Sequence, residues 1–227
     1  MEVRKRRTQQ ERREATVRTL IDAATETLIE EGYAATSVQR ICARTHLSQG
    51  ALFRQFATRE ALMVAVGEDV GAQLLERYRK KFIALQKNGG TDVATAMKLL
   101  RDTCRSRLNA AWYELVTAAR TNENLRKHLE PAARRYFESI VRLARELLPE
   151  VASAMGENFD VLVGMTIAMF DGESMHRAVI RDSRVEDLRI ELLAGAIGMF
   201  AGERDATART AGRKRSDMRR GVRYPPE

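Results

Sequence analysis

The chain has 227 residues, 44% apolar and 31% charged, with 14 glycines and 4 prolines and only 6% aromatics. That balance excludes a disordered tail and a membrane protein, and it favours long helices over an all-β sandwich. The net charge of +8 is unevenly placed: residues 1–18 and 203–227 each carry +4, and residues 19–202 are neutral. Basic ends suggest an anionic partner such as nucleic acid.

Nearly everything between Thr8 and Glu203 reads as helix. Thr8 with Glu11 fits a capping box, followed by Val17, Leu20, Ile21, Ala24 and Leu28 on one face until Gly32 stops the helix. Thr36 with Gln39 fits a second box, opening a short helix with Val38, Ile41 and Cys42 inward. After a break at Thr45–Ser48, Ser48 caps a third short helix with Leu52 and Phe56 inward, and Thr58 caps a long fourth helix over about 59–86 ended by Asn88–Gly90. Beyond that loop the spacing predicts helices near 92–109, 111–120, 123–147, 158–180 and 184–201, with Pro131 expected to kink the third of these or shift its start. Residues 203–227 lack periodicity and read as a basic, disordered tail.

The three short helices around SVQRICARTHLSQGALFRQF (37–56) have helix-turn-helix character. Val38, Ile41, Cys42, Leu47, Leu52 and Phe56 supply a small shared core, which leaves Ser48, Gln49, Gly50, Ala51, Phe53, Arg54 and Gln55 outward. That face has no acid. Its small residues allow close approach to a major groove, and Gln and Arg can pair with base edges.

The stretch EEGYAATSVQRICARTHLSQGALFRQFATREALMVAV, residues 30–66, resembles the DNA-binding segment of the TetR family of bacterial transcriptional regulators. The likeness rests on Gly32-Tyr33, Thr36-Ser37-Val38, Ile41, Leu47–Gly50, Leu52-Phe53, Phe56 and Arg59–Leu62. It implies an all-α protein with a basic arm (1–8), a DNA-binding domain (9–70) and a helical regulatory and dimerisation domain (71–202) before the tail (203–227). The DNA contacts it implies are Thr36, Ser37, Arg44, Ser48, Gln49, Gly50, Ala51, Phe53, Arg54 and Arg59, with help from the arm at Arg4–Arg7. Three departures stand out: His46 where the turn usually holds Gly, Phe53 where a phosphate-binding Tyr is common, and Arg59 where Lys is frequent.

The expected partners are a palindromic double-stranded operator, a second copy of the chain and a small lipophilic or aromatic effector. The expected dimer face on the last two helices comprises Val161, Leu162, Phe170, Leu188, Leu192, Leu193 and Ile197, with Gly164, Gly172, Gly195 and Gly198 permitting close approach. The expected effector lining is Leu100, Cys104, Leu108, Trp112, Leu115, Val116, Phe137, Val141, Met165 and Met169, with Glu114 or Arg120 as polar anchor. Transmission is expected through the fourth helix.

No phosphate-binding glycine loop, GxSxG or HExxH occurs, and His46, His128 and His176 have no paired ligand spacing, so no enzyme, metal or cofactor is expected. Cys42 and Cys104 exclude a disulfide scaffold. The N-terminus lacks the apolar stretch of a secretory signal, and the longest apolar runs, Val161–Phe170 and Leu192–Ala201, are too short for a span, so a cytoplasmic protein is expected. The alternative reading is a constitutive or architectural DNA binder without an effector pocket.

Overall fold

The computed structural model describes residues 8–87 and 92–199; the basic arm at Arg4–Arg7, the loop at Asn88–Gly90, Phe200 and the tail 203–227 lie outside them. The described residues are all-α, with no strand. The helices are α1 (Gln9–Ala35), α2 (Val38–Thr45), α3 (Gln49–Gln55), α4 (Arg59–Lys87), α5 (Val93–Cys104), α6 (Arg107–Ala119), α7 (Glu123–Leu147), α8 (Pro149–Met155) and α9 (Asn158–His176). A tenth, α10, covers 183–199. No described helix is long and apolar enough to cross a membrane.

Caps set most boundaries. Thr8 and Glu11 form the reciprocal box that opens α1. Ser48 and Thr58 accept from Ala51 N–H and Ala61 N–H at the starts of α3 and α4. The second box differs from the sequence expectation. Ser37, not Thr36, caps α2 by accepting from Arg40 N–H, and the Thr36 hydroxyl is buried and donates to the Gly32 carbonyl. The expected 92–109 helix also ends early, at Cys104. Ser106 accepts from Asn109 N–H and restarts the chain as α6, a cap hidden inside an apparently continuous apolar pattern. Pro149 was expected only as a break; it is also the first residue of α8, where its missing N–H costs nothing. Pro131 neither shifts the start of α7 nor interrupts it.

The chain divides into two compact units, cut at Ala84/Leu85, Arg101/Asp102 and Ile140/Val141. The first unit has one apolar core. Leu20, Ala24 and Leu28 of α1 meet Ile41 and Cys42 of α2, Leu52 of α3, Leu62, Val66 and Val70 of α4, Leu115 of α6 and Leu129 of α7. Val38, Leu47 and Phe56 pack against it. This core therefore continues past residue 70 and takes in α6 and α7.

Glycines make the approach of α4 to its neighbours possible. A Cβ on Gly67 would lie 3.2 Å from Leu129 and 3.4 Å from Leu115 and Trp112; one on Gly71 would lie 2.8 Å from the Tyr136 ring. Trp112 meets Tyr136 edge-on at 4.9 Å between centroids.

In the second unit Met97, Leu99, Leu143, Leu147, Phe159, Phe170, Ile190 and Ile197 are buried. Two ion pairs tie α9 to α10: Arg189–Glu173 and Arg177–Glu186, each 2.9 Å, with both carboxylates buried.

Candidate nucleic-acid interface

The helix-turn-helix is set by two left-handed residues. Gly32, at φ 78° and ψ 170°, ends the straight part of α1 in a region that only glycine occupies at low cost. His46, at φ 57° and ψ 21°, turns α2 into the segment before α3. It occupies the place where glycine is usual, in a conformation that histidine accepts at a cost.

α3 presents Gln49, Gly50, Phe53 and Arg54 to solvent and turns Leu52 fully inward. Phe53 is 47% exposed, an aromatic held outward on a polar face. The hydroxyls of Ser37 and Ser48 are used as acceptors by the caps, which leaves each O–H proton free to donate to a phosphate. Ala51 and Gln55 are only half exposed; Gln55 Oε1 is buried with no hydrogen-bond partner.

Beside α3 lies a groove of about 1160 Å³, lined by Gln9, Gln10, Arg12, Arg13, Glu14, Thr16, Val17, Arg18 and Ile21 of α1 with Arg54 and Gln55 of α3; its one acid, Glu14, accepts from Gln10. Arg18 is engaged by Asp22 and Asp69, which hold its guanidinium charged. Among the described residues, Arg12, Arg13 and Arg54 have no acidic partner. A groove edged by unpaired guanidinium groups favours a polyanion. Arg12 and Arg13 were not singled out in the sequence, although the signal was there: neither has an acid three or four residues away on its helix.

Three expected DNA contacts have partners within the protein. Thr36 is buried and bonded to the turn. Arg44 is held by Glu30 at 2.6 Å and Glu31 at 3.6 Å, and its guanidinium holds the Glu30 carboxyl below the usual range. Arg59 points back into the protein. It donates to the carbonyls of Thr36 (2.8 Å) and Tyr33 (2.6 Å) and stacks over the Tyr33 ring at 4.1 Å. Each was read as free because its partner is a backbone carbonyl or a remote acid, which spacing does not reveal.

The family pattern for bacterial regulatory proteins of the tetR family matches residues 20–66. An HTH-type transcriptional regulator of Mycobacterium tuberculosis is 37% identical over 191 residues, covering 84% of this chain and 97% of that protein. The chain belongs to the TetR family. It is a DNA-binding transcriptional regulator and not an enzyme. Solved structures share the fold at low identity. The multidrug binding protein EbrR complexed with imidazole matches at TM-score 0.57 and 18% identity, covering 78% of this chain and 93% of that one. The regulator FadR of Bacillus subtilis in complex with stearoyl-CoA matches at 0.53 and 15%, covering 81% and 97%.

The residues expected around an effector are divided between the two units. Leu108 and Leu115 belong to the first unit's core, and Trp112 packs on Tyr136 against it. The Glu114 carboxylate accepts from Tyr33 N–H at 3.0 Å. Cys104 is buried, and its carbonyl accepts from Asn109 Nδ2 at 3.1 Å. Val116 and Phe137 are exposed, as is Arg120 at the end of α6. Leu100, Val141, Met165 and Met169 fall in the second unit, with Met165 exposed.

The expected dimer residues also separate. Phe170 and Ile197 are core, Leu162 and Leu193 are half-buried, and Val161, Leu188 and Leu192 are exposed.

Proposed function

We propose that the chain is a homodimeric repressor that binds a palindromic operator in the cytoplasm and is released by a small lipophilic or aromatic effector. The observation that carries the DNA reading is the acid-free outward face of α3 beside the groove with Arg12, Arg13 and Arg54 unpaired. Gln49 and Arg54 are the base-reading candidates, Phe53 can meet a thymine methyl, and Arg12, Arg13, Ser37 and Ser48 can hold phosphates.

Dimerisation is supported by the second unit's surface. Val161 and Met165 of α9 are 62% and 65% exposed, Leu192 of α10 is 74% exposed, and each helix continues that line with a small or apolar residue every three or four positions. On α9 the line is Val161, Met165, Ala168, Gly172 and Met175; on α10 it is Val185, Leu188, Leu192, Gly195 and Met199. A regular apolar stripe on both helices of a hairpin suits a second copy related by a two-fold axis. Two-fold symmetry then spaces the recognition helices about one DNA turn, or a multiple of it, apart. The effector reading rests on the ligands named for EbrR and FadR and on the apolar, methionine-rich regulatory helices.

Selection of binding sites from random duplex DNA tests the reading. An enriched palindrome bound at physiological salt supports it; equal binding of all duplexes identifies an architectural binder instead. Arg54→Ala is expected to weaken operator binding by about 1–3 kcal/mol, while Arg12→Ala weakens all duplexes alike and flattens the salt dependence. A lipophilic compound set followed by Trp112 fluorescence and operator release tests the effector; no compound releasing DNA would leave a constitutive binder.

A further inference from the structure

The turn that launches the helix-turn-helix is held from two sides. Residues Gly32–Thr36 join α1 to α2, and within the turn Thr36 Oγ1 donates to Gly32 O at 2.7 Å and Thr36 N–H to Tyr33 O at 3.2 Å. From α4, Arg59 binds the Tyr33 and Thr36 carbonyls. From α6, 81 residues away in sequence, Glu114 Oε2 accepts from the Tyr33 backbone N–H at 3.0 Å. The position of Gly32 is what allows this, since a Cβ there would stand 3.1 Å from the same oxygen.

A second line of contact runs alongside. Arg107, on the first turn of α6, pairs with Glu26 at 2.7 Å and Glu30 at 3.1 Å on α1, and Glu30 also pairs with Arg44 on α2. These pairs are exposed and individually weak. The Glu114 bond differs because it is half-buried and falls on the turn that leads into α2 and α3.

We propose that Glu114 is a positioning residue for DNA recognition, its carboxylate on α6 holding the Gly32–Tyr33 turn so that α3 meets the bases in register. The contact is narrow in tolerance. A displacement of α6 away from the turn by one residue's rise, about 1.5 Å, would stretch the 3.0 Å bond beyond hydrogen-bonding range. Trp112 lies two residues before Glu114 on α6. A shift of that helix therefore reaches the reading head directly, in addition to any motion of α4.

The inference rests on the reading that α3 contacts base edges. It is tested on the full chain with the operator recovered by selection and a random duplex as reference. Glu114→Asp keeps the charge but withdraws the oxygen by one methylene; Glu114→Gln loses the charge but keeps an oxygen that can accept from Tyr33 N–H. The expected result is that Glu114→Asp lowers the operator-to-random affinity ratio by about tenfold with random-duplex binding unchanged, while Glu114→Gln stays close to the parent. The ratio separates positioning from stability, because loss of folded protein reduces both affinities together. An unchanged ratio in Glu114→Asp overturns the proposal, and so does a ratio lost in Glu114→Gln but kept in Glu114→Asp. If the unmodified chain selects no sequence, the α3 reading fails first, before any variant is measured.

Discussion

α3 and the α9–α10 hairpin both expose what a soluble helix ordinarily hides or neutralises, but they expose opposite chemistry. In the first unit many cations are matched with acids: Arg40 with Glu31, Arg107 with Glu26, Arg135 with Glu68 and, in the groove beside α3, Arg18 with Asp69. Arg12, Arg13 and Arg54 in the same groove are not. In the second unit Arg101, Arg145, Arg177 and Arg189 all pair with acids, and the exposed residues are Val161, Met165, Leu188 and Leu192. Exposed ion pairs contribute little to stability. They leave Arg12, Arg13 and Arg54 available in one region and an apolar surface in the other. The chemistry of one face suits a polyanion, and that of the other suits an apolar surface like itself.

The largest effects sharpen the second half of that contrast. Phe170→Ala empties a fully buried site and is expected to cost about 3–5 kcal/mol in urea denaturation. Leu192→Arg, on the exposed stripe, is expected to leave the fold intact and shift light-scattering mass from dimer to monomer at micromolar concentration. A dimeric Leu192→Arg protein would move the interface elsewhere, and a stable Phe170→Ala protein would return Phe170 to it.

A smaller effect tests the close packing of α4. Gly71→Ala places a methyl 2.8 Å from a Tyr136 ring carbon, and an aromatic ring on a packed helix cannot simply swing aside. The expected loss is about 1–3 kcal/mol. The same substitution at Gly195, where nothing lies within 4 Å, should instead leave monomer stability unchanged or raised.

What the sequence made legible were local signals. The capping box at Thr8, the caps at Ser48 and Thr58, the left-handed strain at His46 and the inward side of α3 all depend on residues within four positions of each other. What it hid were partners distant along the chain or made of backbone. Glu114 on an apolar helix looked like a ligand anchor because the amide it serves is 81 residues away. Arg59 looked like a phosphate contact because carbonyl acceptors leave no trace in a motif. Phe170 and Leu192 were indistinguishable as apolar residues on apolar helices, since the apolar surplus there fixes how many residues are exposed and not which. The same limit applies to Val116 and Phe137, expected to face inward but exposed.

The reading face can be probed by a substitution whose two consequences have opposite sign. Gly50 on α3 has nothing closer than Ser48 Oγ at 3.9 Å, so Gly50→Ala is expected to stabilise the free protein by about 0.5 kcal/mol. If α3 enters the groove as proposed, the added methyl meets the DNA, so operator affinity should fall although thermal stability rises. If both rise together, α3 does not approach the bases closely at Gly50.

The smallest expected effect lies in the charge line joining α6, α1 and α2. Arg44 holds the Glu30 carboxyl below its ordinary range, so the folded state binds that proton less readily than the unfolded chain. A depressed carboxyl contributes stability that is present above the unfolded value and lost as pH falls through the lower, folded one. The window is therefore acidic, just below the usual glutamate range, and the contribution at neutral pH is constant. Glu30 is fully exposed, so the effect should appear only at low ionic strength and vanish when salt shortens the Debye length to a few ångströms. The measurement is a melting temperature followed from neutral to acidic pH for the parent chain and Glu30→Gln. At low salt the parent should lose an increment in that window that the variant never had, and the two curves should run parallel at high salt. Parallel curves at low salt would mean that Glu30 and Arg44 meet without energetic consequence, and that the charge line adds nothing to what the Glu114 bond supplies.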